Sequence, residues 1–325
     1  MSEFLIVGNA TVDLFVSGLE RLPALGGDEF TVDNLAFCQE PLAMVVGGNA
    51  CICAYALARL GAPVALAGAI GRDRLGDFVA GWLDQAGVKT AGLKQSEAAA
   101  TSTTVVVTDR RLNRLSFHHP GATDDYLVDD LPAALAQGAG VMLLATYTLL
   151  PRWRPDGFER ALQQARQQGT VTALDIGPAI GRPAEFGELA GLLPYVDYFL
   201  GNQHELAVCT GADDLAAGIA RVLAGGAACV VVKRGRHGAA VCSAGGDIQH
   251  IPGFAVDARF TVGAGDSFNA GLLFALHRGL ALAEAVRFAN AVAAAVVSAA
   301  QGALGAPTLA QVEAFLATSN RLRHS

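Results

Sequence analysis

The chain has 325 residues, 52% of them hydrophobic and 16% charged, with a formal net charge of -7. That is enough apolar material for the buried core of one large α/β domain, or of one domain with an insert. The acidic balance, and the absence of any Lys/Arg-rich run beyond Arg321-Leu322-Arg323, argue against nucleic acid as the main partner.

The N-terminal MSEFLIVGNA lacks a basic stretch, and its apolar run is too short for a secretory leader. Phe4–Val7 reads as a buried strand. Thr11–Val16 alternates, with Val12, Leu14 and Val16 on one face and Thr11, Asp13 and Phe15 on the other, and the alternation extends towards Met44. Asn49–Leu60 has helical periodicity and stops at Gly61; Val64–Ala67 is a strand and Gly76–Ala86 a helix. Thr101–Thr108 and Asn113–Phe117 pair as a hairpin around Asp109-Arg110-Arg111-Leu112. His118 and His119 follow, and as neighbours on a strand they face opposite ways, which argues against a metal pair. Val141–Ala145, Val171–Asp175, Tyr198–Leu200 and Cys229–Lys233 are apolar strands separated by helical segments. The longest apolar tract, Ala289–Ala300, carries Asn290 and Ser298 and is too short to cross a bilayer. Phe315–Ser325 reads as a terminal helix with a polar tail.

Such alternation implies a mostly parallel sheet covered on both faces. The expected core comprises residues 1–10, 46–100 and 122–325; residues 11–45 and 101–121 form a small antiparallel β lid. The Val/Leu face of Thr11–Val16 is a candidate for burial against a second subunit. The six cysteines show no metal-ligand spacing and, without an export signal, read as free thiols of a cytoplasmic protein.

Gly263-Ala264-Gly265-Asp266 is the most informative stretch. A small-residue turn runs straight into an amphipathic helix, so the first amides lack helical partners and can point at an anion. The glycines admit a phosphate closely. A carboxylate beside an anion site repels phosphate, so Asp266 needs another purpose. The economical one is to accept the proton of a hydroxyl that attacks the phosphorus.

These motifs, in this order, resemble the ribokinase-like, or PfkB, carbohydrate kinases from Val7 to about Gly305. Gly8-Asn9 with Asp13, and Gly47-Gly48-Asn49-Ala50 with the later GAIGRDRLG, match the parts that hold the acceptor. The resemblance therefore implies substrate contacts from Asn9, Asp13, Gly47, Gly48 and Asn49. Asn202-Gln203-His204-Glu205 matches the N-x-x-E motif, which implies Asn202 near the phosphates and Glu205 serving Mg²⁺, through water. The same spacing is also an ordinary capping box. Val231–Ala239 resembles the strand and turn that lie along ATP, which implies contacts from Lys233, Gly235 and Gly238, with Lys233 or Arg234 facing phosphate. Asn290 matches the helix beside the adenine.

Four positions depart from the family pattern. Ile52 and Thr123 each stand where an Asn is usual, and Gly177 in Asp175-Ile176-Gly177-Pro178 replaces the Asn of a DPN loop. Phe260 stands where many members have an Asp that helps hold a monovalent cation, with Asp257 out of register. The resemblance thus implies a ribokinase-like three-layer α/β/α fold. It implies ATP-dependent, Mg²⁺-assisted transfer to a primary hydroxyl of a small polyhydroxylated substrate, without strong K⁺ activation. The apolar lid face suggests a homodimer formed by sheet-to-sheet contact through the lid. Rival readings are a nucleoside or other hydroxymethyl-compound kinase of the same fold, and a catalytically silent binding or regulatory protein. Phe30, Phe37 and Phe117 are candidates for the aromatic slot a nucleoside would need.

Overall fold

Strand and helix alternate along most of the chain in the computed structural model, which describes residues 3–20, 37–110, 113–179, 181–299 and 301–321. The first elements are β1 (Phe4–Val7), β2 (Thr11–Leu19), β3 (Ala43–Gly47), α1 (Asn49–Arg59), β4 (Val64–Gly71) and α2 (Arg74–Gln85). Next come β5 (Lys89–Ser96), β6 (Ser102–Asp109), β7 (Arg114–His119), α3 (Ala133–Gln137), β8 (Val141–Leu144) and α4 (Asp156–Gln167). They are followed by β9 (Val171–Asp175), α5 (Phe186–Leu189), β10 (Tyr198–Asn202), α6 (Gln203–Thr210), α7 (Leu215–Ala224) and β11 (Cys229–Lys233). The last are β12 (Ala239–Ser243), β13 (Gln249–Ile251), α8 (Ala264–His277), α9 (Leu282–Ser298) and α10 (Leu309–Arg321).

A nine-stranded sheet runs in the order β13-β12-β11-β10-β9-β8-β1-β4-β5. Its strands are parallel from β11 to β5, and β12 and β13 add an antiparallel edge. Inner strands such as β1, β4 and β8 are buried at every position, as a sheet covered on both faces requires. Ile6, Leu66, Leu143 and Val231 pack on one face with Leu57, Leu272 and Val292 from α1, α8 and α9. Leu5, Met142, Leu174 and Val230 pack on the other with Phe158, Leu162, Leu206 and Val222 from α4, α6 and α7. β5, β12 and β13 lie outside the sequence-derived strands. β5 (KTAGLKQS) is a half-exposed edge without an apolar run, and β13 has three residues.

The strand order reverses at β1, with β4 on one side and β8 on the other. Loops leaving adjacent strands in opposite directions open a crevice at their C-terminal ends. Over this crevice stands the second sheet, in the order β3-β2-β6-β7. Its outer pairs are antiparallel and its central β2–β6 pair is parallel, because β6 arrives from β5 of the large sheet. Asp13 is paired across this sheet with Val45 and Thr104, and Thr104 with His118. The opposite face carries the row Met44, Leu14, Val105 and Phe117. Met44 and Phe117 are 48% and 50% exposed, so no described residue of this chain covers that row.

Candidate active site

The site is built around the start of α8. Gly263 precedes the helix with φ 81°, in the left-handed region. A Cβ there would fall 2.7 Å from Ala303 Cβ and 3.2 Å from Ile52 Cγ2, so glycine is required on steric grounds as well. The helix begins at Ala264, and its first-turn amides emerge at the end of a cavity of about 910 Å³. Ala264, Gly265 and Asp266 line that cavity together with Asn49, Asn202, Glu205, Lys233, Gly235, Gly238 and Asn290. Its far end is apolar, formed by Phe254, Val256, Ala293, Ala294 and Val297. A polar end beside a helix N-terminus and an apolar slot further along suit a phosphate chain and a flat base.

Charge is concentrated at the polar end. Lys233, at the end of β11, donates from Nζ to Asp175 Oδ2 at 2.8 Å and to Asn269 Oδ1 at 3.3 Å. Asn269 donates back to Asp175 Oδ2 at 2.5 Å. A Cβ on Gly265 would lie 3.7 Å from Lys233 Nζ, which places the ammonium beside the anion-binding turn. Burial works to lower the Lys233 pKa, but Asp175, Glu205 and Asp266 outweigh it and hold the amine protonated above its ordinary range. Burial pushes the Asp266 carboxyl up to about 7; Lys233 opposes the rise, and Asp175 and Glu205 add to it. A carboxyl poised near 7 is well matched to accepting a proton at neutral pH.

Asn202 and Glu205 form the reciprocal capping box at the start of α6. Asn202 Oδ1 accepts from the Glu205 amide at 2.9 Å, and Glu205 Oε2 accepts from the Asn202 amide at 2.6 Å. The motif is a helix cap, then, and it also faces the cavity. Burial, with Asp175 adding and Lys233 opposing, raises the Glu205 carboxyl to about 7. Among the described residues no three His, Cys, Asp or Glu form a metal cluster. The oxygen groups of Asp175, Asn202, Glu205 and Asp266 around one ammonium nevertheless leave an excess of negative charge. Those hard donors fit a Mg²⁺ that keeps most of its waters.

Asn290 is placed beside the base end, but its Nδ2 is directed to the carbonyls of Ile251 and Pro252 at 3.3 and 3.2 Å. It holds the turn that walls the slot. Gly238 has φ 81°, and a Cβ there would lie 2.2 Å from the Ile251 carbonyl oxygen, so it too fixes that wall. Of the adjacent Lys233 and Arg234, Lys233, which ends β11, lines the cavity, while Arg234 meets the His250 ring at 3.0 Å.

On the crevice side, the buried Asp13 accepts from Thr11 Oγ1 at 3.1 Å. A Cβ on Gly47 would fall 2.2 Å from Asp13 Cγ, so only glycine leaves room for this carboxylate. Gly48 (φ 90°) likewise packs on the Asn9 carbonyl oxygen, with a Cβ reaching 2.6 Å from it. Asn9 Oδ1 accepts from Thr146 Oγ1 at 2.9 Å. Thr146 is buried at φ 63°, a strained position for a β-branched residue. It also explains Gly177: a Cβ there, at φ 72°, would lie 3.0 Å from Thr146 Cα. Asn9, Asp13, Gly47 and Gly48 thus gather in the crevice next to the cavity, not within its walls.

The aromatic slot is not assembled as the sequence suggests. Phe117 lies on the outer face of the small sheet, opposite Asp13, and Phe37 is exposed; Phe30 lies outside the described residues. Sequence reasoning also missed the part played by Asp175, Asn269 and Thr146. Asn269 was discoverable, since it stands three residues after Asp266 on one helix face. Thr146 carries no local signal.

The model of the pfkB family carbohydrate kinases matches residues 29–309. A 5-dehydro-2-deoxygluconokinase of Shouchella clausii is 28% identical over 286 residues, covering 83% of this chain and 86% of that protein. The ribokinase of Mus musculus is 30% identical over 309 residues, covering 90% of this chain and 88% of its own. The structure of Arabidopsis thaliana ribokinase complexed with ribose and ATP superposes with a TM-score of 0.82 at 25% identity, covering 97% of this chain and 98% of the other. A helix N-terminus with a poised carboxyl, an adjoining slot and the ribokinase-like fold all agree with the family match: the chain belongs to the pfkB family of carbohydrate kinases, ATP-dependent phosphotransferases with a hydroxyl acceptor.

Proposed function

We propose that this protein transfers the γ-phosphoryl group of ATP to a primary hydroxyl of a sugar or sugar-like substrate. The observation that carries this reading is Asp266: a carboxyl held near 7, in the first turn of a helix whose amides face the cavity, with Lys233 alongside. Asp266 takes the proton of the attacking hydroxyl. The amides of the Val262–Gly265 turn and the Lys233 ammonium stabilise charge on the moving phosphoryl group. Asp175 and Asn269 hold that ammonium in place. Asn202 and Glu205 would hold Mg²⁺ through water, and when bound it neutralises phosphate charge.

Asn9, Asp13, Gly47, Gly48 and Asn49 orient the acceptor. A buried carboxylate that accepts two hydroxyls fixes a sugar in register, because charged acceptors make the stronger hydrogen bonds. The small sheet, formed by β2, β3, β6 and β7, acts as a lid that excludes water during transfer. Its exposed Met44–Leu14–Val105–Phe117 row is the face through which two copies pair.

The position where the family resemblance places a cation-holding Asp, taken here by Phe260, does not suit a monovalent cation. The Phe260 ring fills the space over Gly302, where a Cβ would fall 2.2 Å from Cδ1. Turnover in K⁺, Na⁺ or choline salts is therefore expected to be nearly equal.

The deciding experiment incubates the protein with Mg-ATP and a panel of sugars, sugar phosphates, sugar acids and nucleosides, and follows ADP release. Turnover with one acceptor class, lost in Asp266→Asn, supports the reading. ATP binding with no acceptor-dependent ADP release anywhere in the panel argues for the silent binder.

A further inference from the structure

Both apolar residues that replace polar ones in the family pattern meet the same turn. Ile52, on α1, packs where a side chain on Gly263 would stand, 3.2 Å away at Cγ2. Phe260 lies three residues before Gly263, and its ring sits directly on Gly302. The next residue, Ala303, is the other support of Gly263, at 2.7 Å. The Phe260 ring also reaches the lid: it meets Phe15 edge to face, with centroids 4.8 Å apart and planes at 72°. Phe15 is buried on β2, two residues beyond Asp13 and on the same face. A continuous series of packed groups therefore joins the acceptor carboxylate of Asp13 to the anion-binding turn: Phe15, Phe260, Gly302 with Ala303, then Gly263.

We propose that the Phe15–Phe260 ring pair is a positioning device, through which the small sheet, seated over the crevice, presses the 260–263 segment onto Gly302 and sets the anion-binding turn for transfer. The inference rests on the kinase reading of this site. Neither ring touches the reacting atoms; both act through Gly263. An edge-to-face pair stabilises only within a narrow range of separation and tilt, so the seating of β2 sets how firmly the 260–263 segment rests on Gly302.

The test uses the full chain with Phe15→Leu, Phe260→Leu and the double variant, plus Phe15→Tyr as a ring-preserving control. With the acceptor found in the panel, each Leu variant should lose kcat about 5- to 10-fold, the low end of coupling between sites, with KM for ATP unchanged. The double variant should be no worse than the poorer single, because both changes break one contact. Phe15→Tyr should keep near-normal kcat. Additive losses, or a loss carried wholly by KM for ATP, would overturn the proposal. Hydrogen exchange supplies a readout that needs no turnover. In Phe15→Leu, amides 261–266 should exchange about 5-fold faster or more, although residue 15 lies in the other sheet. Unchanged exchange there, in a variant with native circular dichroism, refutes the coupling even if no acceptor is ever found. No turnover from the wild type, with exchange altered as described, would instead count against the kinase reading alone.

Discussion

Asp266→Asn should make the protein a worse catalyst and, above neutral pH, a more stable one. Asp266 is raised from 3.8 to about 7, first by burial and then by Asp175 and Glu205. A carboxyl whose folded pKa lies above its unfolded value favours the fold fully below about pH 4. That contribution is lost as pH rises through about 7. Three pKa units correspond to about 4 kcal/mol at 1.36 kcal/mol each; relaxation and the shared titration with Glu205 reduce this to about 2–4 kcal/mol. At about 2.1 cal/mol/K per residue, unfolding 325 residues has an entropy near 0.7 kcal/mol/K. Removing the charge should then raise the nucleotide-free Tm by about 3–6 °C at pH 8 and by little at pH 4.5. Over the same substitution kcat should fall by about 10² or more, the usual weight of a general base, and its acid limb near pH 7 should disappear. The assays are scanning calorimetry across pH and steady-state ADP release. An Asn variant that is equally destabilised at both pH values would refute the charge argument. Near-normal turnover would refute the base assignment.

Lys233→Met leaves Asp175 buried without its ammonium, which should cost about 3–5 kcal/mol; adding Asp175→Asn should restore most of the Tm in thermal unfolding without restoring turnover. Glu205→Gln keeps a residue competent for the capping box, so stability should fall by less than about 1 kcal/mol. Its Mg²⁺ titration of activity should shift about tenfold upward. Unshifted Mg²⁺ dependence would confine the residue to its cap. Phe117→Glu with Met44→Lys places charge on the exposed lid row, and gel filtration with light scattering should show a dimer becoming a monomer. A wild type that is already monomeric at micromolar concentration would refute the lid interface.

The parallel core and its strand ends were legible because they are written in local pattern. A strand buried on both faces must be apolar throughout, as in Phe4–Val7 and Cys229–Lys233, and an amphipathic helix after a Gly-rich turn must begin where Gly263 allows it. Asp266 and the N-x-x-E motif share that legibility, since a first-turn carboxylate and a cap are set by spacing along one element. What such spacing leaves open is which strand ends meet. Asp175 and Lys233 are 58 residues apart, and Asp175 and Asn269 are 94 apart. They come together only because β9 and β11 flank β10 and α8 packs across their ends. The Phe15–Phe260 contact depends likewise on how the small sheet seats over the large one. The direction of Asn290, towards backbone and not base, follows from where the 251–253 turn falls. The strain at Thr146 and the glycine it imposes at 177 are a steric bargain between two loops of adjacent strands. Local periodicity determined the elements and the Gly263–Asp266 turn; the charge network and the Phe15–Phe260 contact arose from strand order and packing, because groups far apart in sequence interact only where the tertiary fold closes the distance.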